Sequence, residues 1–93
     1  MEKAWLYHEI GRCHLEMGRY EVSKDYGQKS LECAEKINDE VWQLNATVLI
    51  AQSEAKMGTA ENLTSAIENF KKAHAMTERL SNKETNINST KRF

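Results

Sequence analysis

A glycine set inside a helical run, followed by a second glycine and then an aromatic, constrains this chain more than any other feature. The stretch is Ile10-Gly11-Arg12-Cys13-His14-Leu15-Glu16-Met17-Gly18-Arg19-Tyr20. Glycine in mid-helix costs roughly 0.5–1 kcal/mol relative to alanine, so Gly11 needs a compensating reason. Close approach of a second helix supplies one, because only a missing side chain lets two backbones nearly touch. Gly18 predicts a left-handed residue that closes one helix just before the next begins. The unit therefore reads as helix, tight turn, helix. It recurs, with Ile10, Met17 and Gly18 returning as Ile50, Met57 and Gly58 at a constant spacing of 40 residues.

Hydrophobic periodicity extends this unit along the chain. Leu6, Ile10, Cys13 and Met17 form one stripe of the first helix, and Tyr7, Gly11 and His14 form a second. A helix apolar on two sides is buried on two sides. Tyr20, Ser23, Tyr26, Gly27, Ser30, Leu31, Ala34 and Ile37 carry a second helix, and Asn38-Asp39 supplies a turn and a cap. Val41, Leu44, Val48, Leu49, Ala51 and Ala55 make a third. Leu63, Ala66, Ile67, Phe70, Ala73, Thr77 and Leu80 make a fourth, opened by Thr59 or Asn62. The expected spans are 3–17, 20–37, 39–57 and 60–81, forming two antiparallel hairpins, 3–37 and 39–81, within a unit of residues 1–82. Ile10, Gly11, Ile50, Ala51, Ala66, Phe70 and Ala73 are the expected core. Residues 83–93 are polar and aperiodic and read as a disordered tail. The fold class is all-α.

Composition narrows the function by exclusion. Thirteen basic and 14 acidic residues leave a net charge of −1, with no basic footprint for nucleic acid and no polybasic membrane arm. No apolar run approaches the roughly 18–20 residues of a membrane span. Two cysteines without secretory spacing point to free thiols in a reducing compartment, hence a cytoplasmic location. Catalysis has no visible seat: no serine stands in a Gly-x-Ser-x-Gly turn, and no glycine loop could cradle a phosphate. His8, His14, His74, Cys13 and Cys33 could ligate zinc, but structural sites use close ligand pairs. Adjacent Cys13 and His14 instead diverge by about 100° around a helix. No cofactor, metal or small-molecule substrate is expected.

Helical hairpins repeating at about 40 residues are the mark of an α-solenoid. The chain resembles the tetratricopeptide repeat family, in its long-repeat variety, over residues 4 to about 80. Tyr7, Ile10, Gly11 and His14 take the family's first-helix core positions, Gly18 the turn, Tyr20 the following aromatic, and Ser23, Ser30 and Leu31 the second-helix positions. The second copy matches at Thr47, Ile50, Ala51, Gly58, Leu63, Ala66, Phe70 and Ala73. It departs in three ways: Gly27 stands where the family places an aromatic, the terminal proline is missing, and three extra residues lie between Gly58 and Leu63.

The resemblance implies a non-catalytic scaffold that binds other proteins. Within the family, residues 4–13 and 41–52 look like repeats that serve in docking outer dynein arms to ciliary doublets, which implies axonemal partners and a place in the cilium. The alternative is a generic cytosolic adaptor that takes a peptide or a helix in its concave groove, as Leu-Gly-Asn-repeat proteins and kinesin light chains do. Carried over position by position, the concave face is Trp5, His8, Arg12 and Glu16, then Asn45, Val48, Gln52 and Lys56. Trp5 is singled out as a large ring the repeat core does not require, with two readings left open: an anchor for a partner, or a packing contact for a preceding repeat. His8, Glu9 and Arg12 stand where chaperone-binding relatives carry a lysine and asparagines for a carboxylate clamp, so that task is disfavoured.

Overall fold

The computed structural model describes residues 3–92, with side chains for residues 3–82. Four helices follow one another: α1 Ala4–Glu16, α2 Tyr20–Lys36, α3 Glu40–Met57 and α4 Ala60–Arg92. The tail expected over residues 83–93 lies outside the residues described with side chains. The three turns between helices have local causes. Gly18 and Gly58 sit at φ +82° and +76°, where an L side chain is strained and glycine is not. Between α2 and α3 the left-handed residue is Asn38, at φ 55°, one of the few side chains that tolerates it. Asp39 then caps α3, its carboxylate accepting the Trp42 amide at 3.1 Å. Thr59, not Asn62, caps α4. Its hydroxyl accepts the Asn62 amide at 3.2 Å and the Asn62 side-chain NH2 at 2.8 Å.

Each helix packs on its successor, and α1 also reaches α3. The buried core is built of small residues around a few larger ones: Ala4, Ala34, Ala46, Ala51, Ala66 and Ala73 surround Leu49, Ile50 and Met76. Two glycines allow that density. A Cβ added at Gly11 would lie 2.8 Å from Leu49 Cδ2, 3.1 Å from Tyr26 Cβ and 3.2 Å from the Ser23 carbonyl oxygen. At Gly27 it would lie 2.8 Å from Ile50 Cγ1. Gly11 thus has the close helix contact its position implied. Gly27, a departure from the family pattern, turns out to be the second contact of this kind.

Buried polar groups are satisfied within the same layer. Ser53 donates to the Leu49 carbonyl at 2.9 Å, so Ser23 is the donor in the 2.7 Å bond between the two hydroxyls. Ser30 donates to the Ala4 carbonyl at 2.8 Å and ties α2 to the start of α1. A buried hydroxyl left unpaired would cost about 1–3 kcal/mol, so these serines are compatible with the core only in this arrangement.

Five of the seven expected core residues are buried: Gly11, Ile50, Ala51, Ala66 and Ala73. Ile10 is half-buried, and Phe70 is 41% exposed. The expectation for Phe70 is corrected because Ala66, Ala73 and Met76 occupy the side of α4 that meets α3. Phe70 is turned about 40° from Ala66 and about 60° from Ala73 around the helix, on the side away from Met76.

The three extra residues after Gly58 are absorbed without a bulge. α2 starts at Tyr20, two after Gly18, and α4 starts at Ala60, two after Gly58. The additional turn shifts equivalent positions in the second helix of the pair from a spacing of 40 to 43. His14, whose ring stacks on Tyr26 at 5.8 Å, is matched by Glu54, which bonds Asn69.

Gly11→Leu puts a branched side chain into this contact, and overpacking of that kind costs about 1–3 kcal/mol. For a chain of this size the melting temperature should fall by roughly 5–20 °C in a thermal circular-dichroism scan. A variant melting within a degree of the parent would show that α1 and α3 do not meet there.

Candidate functional site

The eight positions expected on the concave face divide equally between α1 and α3, the two helices that open the hairpins. Helical spacing places Trp5, His8, Arg12 and Glu16 along one side of α1. Asn45, Val48, Gln52 and Lys56 occupy the corresponding side of α3. Trp5 is 48% exposed. Arg12 is exposed and held by two carboxylates, Glu9 at 2.9 Å and Glu16 at 3.8 Å. The Arg12 hydrogen bond also holds the Glu9 carboxyl below its ordinary pKa of 4.5. Gln52 and Lys56 are exposed, while Asn45 and Val48 are half-buried.

His8 joins the two halves of this strip. Its ring meets Trp42 of α3 edge-on at 5.3 Å between centroids, a favoured aromatic geometry. Its Nδ1 is buried, makes no hydrogen bond, and lies 3.6 Å from a Glu9 carboxylate oxygen. The position was expected to face a partner. Its ring also packs at the α1–α3 seam, and the periodic pattern alone gave no sign of Trp42 as its neighbour. What the strip offers chemically is a mixed surface, with an indole, a guanidinium fixed by two acids, an amide and an ammonium.

The strongest electrostatic feature lies elsewhere, on α3, and no sequence pattern pointed to it. Glu54 is almost fully buried. Lys24 of α2 reaches one carboxylate oxygen at 3.0 Å, and the Ser65 hydroxyl donates to the same oxygen at 2.7 Å. Asn69 donates to the other oxygen at 2.7 Å. Burial pushes this carboxyl upward, but the hydrogen bonds from Ser65, Lys24 and Asn69, with the Lys24 charge, outweigh it and hold it below 4.5. Among the described residues α2 and α4 do not pack directly on each other, so Glu54 is the polar bridge between them. The signal in the sequence was an acidic residue continuing the buried line of Thr47, Ile50 and Ala51 on α3.

The five side chains weighed as metal ligands stand apart. Cys13 is exposed and Cys33 half-buried, both as free thiols. His14 stacks on Tyr26, and His74 reaches Glu78 on its own helix at 3.1 Å. Among the described residues no group of His, Cys, Asp and Glu converges on a point that could hold an ion. An open cleft of about 460 Å³ lies at the turn end, lined by Arg19, Tyr20, Met57, Thr59 and Asn62 among others, and includes none of the eight strip residues. No helix is long and apolar enough to cross a membrane, among the described residues.

Comparison with known proteins agrees with this geometry. Residues 2–79 match the tetratricopeptide repeat family. Over 73 residues, 78% of the chain, the sequence is 52% identical to outer dynein arm-docking complex subunit 4 of Danio rerio. It is 51% identical to the Homo sapiens protein of that name over 73 residues and 49% identical to that of Xenopus laevis over 69. The chain spans 14%, 10% and 13% of the length of these relatives. No solved structure gives a significant match.

The Glu54 bridge makes stability depend on acid. A carboxyl whose pKa is lower in the folded than in the unfolded state adds stability that is complete above the unfolded value near 4.5. That stability is lost as the pH falls through the lower folded value. Urea unfolding should therefore give a midpoint that drops below about pH 4.5. Glu54→Gln sets an amide NH2 against the donors that now converge on the carboxylate, and should cost about 2 kcal/mol at neutral pH. It should also flatten the acid limb, and a Glu54→Gln limb as steep as the parent's would assign that dependence to other carboxyls.

Proposed function

The chain belongs to the tetratricopeptide repeat family, and from that premise we propose that it is a non-catalytic protein–protein scaffold, part of the axonemal assembly that docks outer dynein arms to ciliary doublets. The carrying observation is an identity of 52%, 51% and 49% over 73, 73 and 69 aligned residues to docking-complex subunits of fish, human and frog. Identity at that level extends beyond the few positions that a helical hairpin needs for its core, because much of a small solenoid's sequence is surface. In this reading the partners are proteins: neighbouring repeats and docking or axonemal subunits. Nucleic acid, membrane and small-molecule substrates have no part in it. The protein works in the cytoplasmic compartment of the cilium.

The α1–α3 strip is the partner face in this reading. Trp5 is its anchor, since an exposed indole buries a large area at low entropic cost when a partner closes over it. Leu6, at 44% exposure, adds apolar area on the next position of α1. Arg12, held in place by Glu9 and Glu16, presents its remaining N–H donors to a partner's backbone carbonyl.

The test is capture from axonemal extract on the immobilised chain, with bound proteins identified by mass spectrometry. Docking-complex and outer-arm subunits should be enriched over an unrelated tetratricopeptide pair. Trp5→Ala should lower their recovery by about tenfold, as loss of a hot-spot aromatic does. Helicity should be unchanged, because the side chain is half in solvent. Equal recovery on the unrelated pair, or indifference to Trp5→Ala, would remove the docking assignment and favour a general adaptor.

A further inference from the structure

The outer side of α4 carries Leu63, Ile67 and Phe70, exposed by 43%, 55% and 41%. They fall four and three residues apart, along one stripe of the helix. The chain contains its own template for what covers such a stripe. At the spacing of 43, Leu63, Ile67 and Phe70 correspond to Tyr20, Lys24 and Gly27 of α2, and that side of α2 is covered by α3. The two helices run antiparallel there. Ile50 enters the space left by Gly27, Glu54 takes the Lys24 ammonium at 3.0 Å, and Ser53 meets Ser23.

On α4 the sizes and charges are inverted. A phenylalanine stands where α2 has a hole, and an isoleucine where it has a cation. A covering helix seated in the same way therefore cannot resemble α3. It must carry a small residue opposite Phe70, because a branched side chain there would overfill the contact. Four residues later, opposite Ile67, it must be apolar, because a carboxylate would be desolvated without a partner. An apolar residue three further on, the place of Met57, meets Leu63.

We infer that the α4 stripe seats an antiparallel helix with a small residue at one position and apolar residues four and seven positions later, and that this helix is not a second copy of the chain. The repeat spacing of 40 shows why a copy fails. Its α1 would bring Ile10 against Phe70 and His14 against Ile67, the residues that correspond to Ile50 and Glu54. Self-stacking into an open filament is thereby disfavoured at this face. The inference rests on the repeat geometry and not on the docking role, and it concerns the end of the chain opposite Trp5. The two can therefore fail separately.

Two stapled helical peptides test it against the full chain by fluorescence anisotropy. One copies α3, Glu40–Met57, and the other carries Ile50→Ala and Glu54→Leu in that sequence. The altered peptide should bind the chain at least about tenfold more tightly than the copy. In the chain, Ile67→Lys should weaken the altered peptide, and Ile67→Lys with Phe70→Ala should reverse the order by restoring a cation for Glu54 and space for Ile50. Ile67→Lys lies at an exposed position and keeps the test decisive if the double variant does not fold. Binding of the copy as tight as the altered peptide, no binding of either, or indifference to Ile67→Lys would overturn the inference. So would a concentration-dependent dimer in sedimentation that Phe70→Ala abolishes, since that would make a second copy the occupant.

Discussion

Everything in this structure depends on how closely three backbones approach around Leu49 and Ile50. Gly11 of α1 and Gly27 of α2 leave no room for a Cβ, and these two side chains of α3 occupy the space. The approach brings the serine hydroxyls within bonding distance and closes the core with small residues. A hairpin pair of this size has little apolar area to bury, so its stability comes from packing density more than from bulk. Glycine's loss of helix propensity, at two positions, is outweighed by the contacts it admits.

Glu54 is the other side of that economy of size. A buried carboxylate is a liability unless its lone pairs are filled, and here donors from two helices fill them. The arrangement links α2 and α4, which do not otherwise pack together among the described residues. It also gives the interface between the first and second hairpin a polar specificity that alanine and glycine contacts lack. The outer side of α4, with isoleucine in place of lysine, has abandoned that device. The two ends of one short solenoid are thus chemically different, although they share a backbone plan.

Much of the local architecture was legible beforehand, and for local reasons. The helix starts at Tyr20 and Ala60 and the ends near Glu16 and Met57 follow from residues whose backbone preferences are intrinsic: Gly18, Gly58, Asn38, Asp39 and Thr59. The repeat was legible because the same local signals return at the same spacing. Helical periodicity also assigns the eight strip positions to one side each of α1 and α3. The contact of His8 with Trp42 was not legible, because the two residues are distant in sequence and only the packing of α1 on α3 brings them together.

By itself the sequence determined four helices, their turns and the antiparallel pairing, since dihedral preference, capping and short connections act over a few residues. Only the tertiary structure decided which apolar residues are covered. Phe70 and Ala73 both continue the apolar period of α4, yet one lies 41% exposed and the other is buried. The rotation of α4 on α3 separates them, and that rotation is set by where Glu54, Ser65 and Asn69 meet and by which small residues let the backbones close. Periodicity can mark an apolar stripe, but the angle at which that stripe meets its neighbour belongs to both helices at once.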